Sequence, residues 1–256
     1  MFSRRDPARP HPLEVESSAA FHRADAAADP GKKHELLGEA QRLAGQGALS
    51  DAYSYLQKAV GLIAVTLPLV VAGGNRLSGG ELQGSISAYY YTHMGNYFVG
   101  SLFALGVFFL SYHYRPLPKY QLDNYLSNVA SIMALGVALF PTASDAERAS
   151  GGAKTVAVLH LAFACTLFVL LAVFSLFLFT KTDDPSNMTA RKRQRNRVYR
   201  ICGAVIAGAI VMVVVTEGVQ PPESWHALFW LESIAVVAFG ISWLVKGELL
   251  GLLADP

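Results

Sequence analysis

The chain has 256 residues, of which 52% are hydrophobic and only 16% charged, against about 25% charged in a typical soluble domain. That deficit points to a membrane protein, and a net charge of +2 is too small to argue for nucleic acid as a partner. Two cysteines, Cys165 and Cys202, fall at different depths of separate apolar runs, so neither a disulfide nor a metal-binding pair is expected.

Residues 1–34 are rich in Ala, Pro, Arg and Asp without apolar periodicity and read as a mobile tail. Ser3-Arg4-Arg5 resembles a twin-arginine signal, but no apolar stretch follows within reach. From His34 to Asp51, Leu36, Leu37, Ala40, Leu43 and Leu49 recur at helical spacing. They predict an amphipathic helix, lying on the membrane surface or simply cytoplasmic. Residues 1–52 thus form a cytoplasmic tail, residues 53–248 a transmembrane bundle, and residues 249–256 a second cytoplasmic tail.

Six apolar runs make up the bundle: Tyr53–Ala72, Asn96–Tyr112, Tyr125–Phe140, Val156–Thr180, Ile201–Val215 and Ala227–Val245. A span needs about 20 residues, so the third and fifth runs should extend into their flanks. The fourth should tilt or protrude. The second is the most telling. It opens with hydroxyls and tyrosines from Ser85, has no polar stripe from Tyr97 to Leu110, and closes with aromatics at Tyr112 and Tyr114, as spans do at membrane–water boundaries. The fold class is therefore all-α, a polytopic membrane protein of six helices.

Lys and Arg in the connections set the orientation. With the amino terminus inside, the cytoplasmic segments hold 18 of them and the outer loops 3, namely Arg76, Arg148 and Lys154. Both termini are predicted to be cytoplasmic. Small residues four apart, Gly100 with Ala104, Gly203 with Ala207, and Ala204 with Gly208, predict close helix contacts.

This topology collects proton-transferring and ligating side chains on the outer side. Ser87, Tyr90, His93, Asn96, His160 and Glu232 are the candidates for one outer pocket that binds or remodels a membrane lipid. A carboxyl near a helix centre costs around 3 kcal/mol and so should face a partner or water, which makes Glu232 the sharpest single residue. A hydrogen bond to a neighbouring helix is its competing, purely structural role. His93, His160 and His226 would suit a catalytic zinc. The HxxxH and HExxH pairs that pre-organise such a site are absent, and interfacial histidines are the favoured reading. An aromatic belt is the plain reading of Ser87–Thr92. No Gly-x-Ser-x-Gly elbow supports an acyl-enzyme. On the opposite side, Arg191, Lys192, Arg193, Arg195 and Arg197 either contact anionic lipid or merely fix the topology.

Several features occur in a familiar order. Ile86-Ser87 precedes the second span, the third ends near Pro141, and His160 opens the fourth. Arg195-Asn196-Arg197 precedes the fifth, and Glu232 lies beside Phe229-Trp230 in the sixth. In these the chain resembles a six-helix bacterial membrane protein family of unknown function and, distantly, the DRAM-type autophagy modulators and GPI-anchor-remodelling proteins. The eukaryotic relatives carry an acidic residue after the serine, where this chain has Ala88. The resemblance implies a lipid-facing role over about residues 53 to 248. A looser likeness to alkaline ceramidase-type hydrolases would require zinc, and a small transporter or channel is the remaining alternative.

Overall fold

Residues 12–112, 121–144, 154–182 and 186–247 are described by the computed structural model. Expectations for Ser3 to Arg5, Tyr114, Arg148 and the 249–256 tail lie outside them. Among the described residues the chain is helix and turn, with no strand. The helices are α1 (Pro12–Asp25), α2 (Pro30–Leu77), α3 (Gly95–Ser111), α4 (Gln121–Leu139), α5 (Lys154–Val173), α6 (Ala190–Val219) and α7 (Ala227–Lys246). Two 3-10 turns, Ser87–Tyr91 and Glu223–Trp225, precede α3 and α7, and a π-helical segment, Phe174–Leu178, extends α5.

Five of these segments are long and apolar enough to cross a membrane, and α3 is a shorter apolar helix of 17 residues. The surface agrees with that reading. Leu69, Val107, Ile132, Leu161, Val211 and Ile234 are all at least half exposed, whereas Ser101, Ser127, Ser131, Ser175 and Ser242 are buried. A water-soluble bundle would reverse this distribution. Each of the six long helices packs on the next in sequence, and α7 returns to α2, so they close into a ring.

The amino-terminal region differs from its expectation. Residues Pro12–Asp25 form a helix, and the predicted amphipathic segment is the first half of α2, a single helix of 48 residues. No Gly or Pro occurs from Ala48 to Val60, so nothing interrupts the helix where the apolar run begins. Asp29 caps its start by accepting the N–H of Lys32 at 2.9 Å, with Pro30 at the first helical position. The alanines of the tail, which carry no apolar periodicity, allow flat contact instead. Ala20 and Ala24 of α1 and Ala40 of α2 are fully buried, and Gly47 of α2 sits against Leu13.

One close helix crossing is made by a pair that the small-residue spacing does not predict. A Cβ on Gly61 of α2 would lie 2.9 Å from the carbonyl oxygen of Gly240 on α7, and one on Gly240 would lie 2.8 Å from that of Gly61. Gly203 is packed against Leu176 of the π-helical segment. Gly100 and Gly208 instead face outward, and a Cβ placed on either would meet nothing within 4 Å.

Candidate functional site

Between the helices of the ring lies a cavity of about 60 Å³. Along α3 its wall runs from Phe98 to Phe109, roughly 16 Å at 1.5 Å per residue, so the space is a slot parallel to the helices. Ala64 and Leu67 of α2, Ala134 and Val137 of α4, Leu167 and Leu171 of α5, and Val236 and Phe239 of α7 complete the wall. The lining is apolar except for Glu232 and Ser87, which meet at one end.

The connection between α2 and α3 closes that end. Asn75, buried in the last turn of α2, donates to the Glu81 carbonyl at 2.8 Å and accepts the Gly80 N–H through its own carbonyl at 2.9 Å. The Phe229 N–H, in the first turn of α7, donates to the Gly84 carbonyl at 2.9 Å. Glu232 Oε2 accepts the Ile86 N–H at 2.7 Å. The connection thus supplies an acceptor to a helix terminus that lacks one, and receives in return an acceptor for its own buried amide. Ser85 Oγ accepts the Ala88 N–H at 3.1 Å and starts the 3-10 turn. Tyr89 is buried against Phe229, and its hydroxyl accepts the Gln83 N–H at 3.2 Å. Burial pushes the Tyr89 phenol above its ordinary value, and the Gln83 hydrogen bond partly opposes this. Beyond the connection lies a wider hollow of about 470 Å³, lined by uncharged groups that include Gln83, Ser85 and Thr92.

The candidate residues therefore separate. Ser87 and Glu232 share the cavity. The partner of Glu232 is a backbone amide in a connection, where a group on a neighbouring helix was expected. Tyr90 is half-buried and packs edge-on to Tyr91 at 5.1 Å. His93 and Asn96 are exposed. His160 is buried, but its Nδ1 is 2.6 Å from the carbonyl oxygen of Phe140, at the end of α4. His226 initiates α7 with a left-handed backbone, φ 46°, and its Nδ1 is buried without a hydrogen-bond partner. Among the described residues no three His, Cys, Asp or Glu side chains converge to hold a metal, so His93, His160 and His226 do not form a zinc centre.

At the opposite end, Lys192 and Asn196 of the basic run turn inward. Lys192 Nζ donates to the Phe179 carbonyl at 3.0 Å, and Asn196 Nδ2 donates to the Thr180 carbonyl at 3.2 Å. Together they cap the end of the π-helical extension of α5. Arg193 donates to the Met188 carbonyl at 2.7 Å. Arg197 and Arg200 are exposed, whereas Arg191 and Arg195 are half-buried.

One group at this end escaped the sequence reading. Asp123 of α4 is 1% exposed and forms an ion pair with Lys181. Its signal is the four-residue step Asp123, Ser127, Ser131 along an apolar helix, a polar stripe whose members are all buried and which marks the inward face. Beginning the third run at Tyr125 hides it. Compared with family models, curated proteins and solved structures, the chain matches none of them.

Proposed function

We propose that the protein is a multi-pass membrane protein that binds a lipid by taking one apolar chain into the helix ring, with the polar head at Glu232 and Ser87. The observation that carries this reading is the shape and polarity of the slot: elongated, apolar along its walls, and polar at one end only. The adjoining hollow of about 470 Å³, lined by hydroxyls and amides, has room for a head group. In this reading the Ser87 end faces the outer leaflet and both termini are cytoplasmic, because Lys and Arg favour the other end by 18 to 3. Residence in a bacterial plasma membrane and kinship with the six-helix lipid-facing families belong to the same proposal. No observation favours the hydrolase or transporter alternatives. The histidines lie apart, and the polar lining stops at Glu232 and Ser87.

A fatty-acyl probe with a photoreactive group on its chain tests the reading in membranes containing the full chain. Adducts are expected on slot residues such as Leu105 and Leu167, and Ala134→Phe, which fills the slot, should abolish them. Labelling confined to outward residues such as Val158, Leu161 and Val169, and unchanged by Ala134→Phe, would sink the proposal.

A further inference from the structure

The outer face of α6 carries a second, independent feature. Arg193, Arg197 and Arg200 are exposed and lie within roughly 60° of arc at 100° per residue. The same face continues through Ala204, Gly208, Val211 and Val215, all exposed, with nothing within 4 Å of a Cβ built on Gly208. A row of arginines thus stands directly above a shallow lane of small side chains. From Ala204 to Val215 the lane is roughly 16 Å long, close to half of a hydrocarbon core of about 30 Å.

We propose that this face binds one anionic phospholipid, with its phosphate on the guanidiniums and one acyl chain along the lane. Two arguments select a lipid over a second copy of the chain. Small residues four apart ordinarily mark a helix dimer. Here, however, a two-fold axis along the membrane normal would set three arginines against three, a like-charge contact at head-group depth. The second argument is the helix itself. The first turn of α6 holds Arg191, Lys192 and Arg193 and no acidic residue. The partial positive charge of a helix amino terminus disfavours that arrangement, and a bound phosphate reverses its sign. Lys192 and Asn196, anchored to the end of α5, fix the rotation of α6 and so hold the arginine row outward.

The test is native mass spectrometry of the full-length protein titrated with phosphatidylglycerol or phosphatidylcholine. Wild type should retain phosphatidylglycerol at least about tenfold more strongly, since each arginine near an anionic surface contributes about one kcal/mol. R193Q/R197Q/R200Q should level the two lipids, and A204L/G208L, which fills the lane without changing charge, should weaken retention of phosphatidylglycerol. Should the triple variant fail to fold, R197Q alone is expected to lower the preference about fivefold. An undiminished preference in the arginine variants, or undiminished retention of phosphatidylglycerol in A204L/G208L, overturns the proposal. So does a wild-type dimer that A204L/G208L turns into a monomer, because a second copy would then cover the lane.

Discussion

Glu232 and Ile86 are 146 positions apart, yet the carboxyl of the first accepts the backbone N–H of the second at 2.7 Å. The bond fastens the α2–α3 connection over the polar end of the slot. Removing the acceptor strands a buried amide, at about 1–3 kcal/mol. Glu232→Ala should therefore lower the thermal midpoint measured in detergent, while Glu232→Gln, whose amide oxygen can still accept, should stay near wild type. Equal losses in the two variants would show that the bond does not hold the connection.

The Gly61–Gly240 crossing predicts an asymmetry among glycines. A methyl group at either position meets the opposing carbonyl oxygen below 3.0 Å, so Gly61→Ala and Gly240→Ala should each cost on the order of 1–3 kcal/mol from overpacking. Gly100→Ala and Gly208→Ala meet nothing and should be neutral, or stabilising by up to about 1 kcal/mol. Denaturant unfolding of the four variants would settle the order.

Asp123 and Lys181 are coupled. Breaking a buried pair from one side costs about 3–5 kcal/mol, and the low end applies because the lysine side chain is 33% exposed. Asp123→Asn and Lys181→Met should each lose about 3 kcal/mol, and the double variant distinctly less than their sum. Strict additivity in that cycle would remove the pair from the account.

Tyr89 gives a pH dependence. Its phenol titrates higher in the folded state than in the unfolded chain, so the folded state holds the proton more tightly. Its contribution is complete below the ordinary phenol value near 10 and is lost as pH rises through the folded value. Wild type should destabilise above about pH 10, and Tyr89→Phe should flatten that decline while losing the Gln83 hydrogen bond at every pH. An identical alkaline decline in Tyr89→Phe would assign it to other groups.

Orientation is tested by labelling. In a background lacking Cys165 and Cys202, a cysteine at Ser78 should react with an impermeant maleimide added to intact cells, and one at Ser186 only after lysis. The opposite pattern would invert the bundle and place the Glu232 end in the cytoplasmic leaflet.

The sequence made the helices legible because apolar runs bounded by charge and by tyrosines have few alternative readings. Each of the six runs lies within one helical segment or runs no more than two residues past its end. Equal depth on one side proved a weaker guide to the site. Ser87 and Glu232 meet because hydrogen bonds from Ile86 and Phe229 fold the connection inward, and such pairings over long separations leave no periodic trace. His160 has comparable polarity but is taken up by the Phe140 carbonyl one helix away. The short amino-terminal helix was hidden for a related reason. Alanine contacts such as Ala20 and Ala24 against α2 carry no hydrophobic contrast in composition.

The length of α2 has a mechanical consequence. From Pro30 to the crossing at Gly61 the helix has no internal proline, since Pro68 lies beyond it, and α1 splints this arm along its side. The arm spans 31 residue steps, from 30 to 61, roughly 46 Å. A swing of about 5° around Gly61 would therefore carry its tip about 4 Å. Any repacking between α2 and α7 would be transmitted as a lever stroke to the tip, well away from the slot, and a probe pair spanning Pro30 and the α7 terminus at Lys246 would register it as a change in separation.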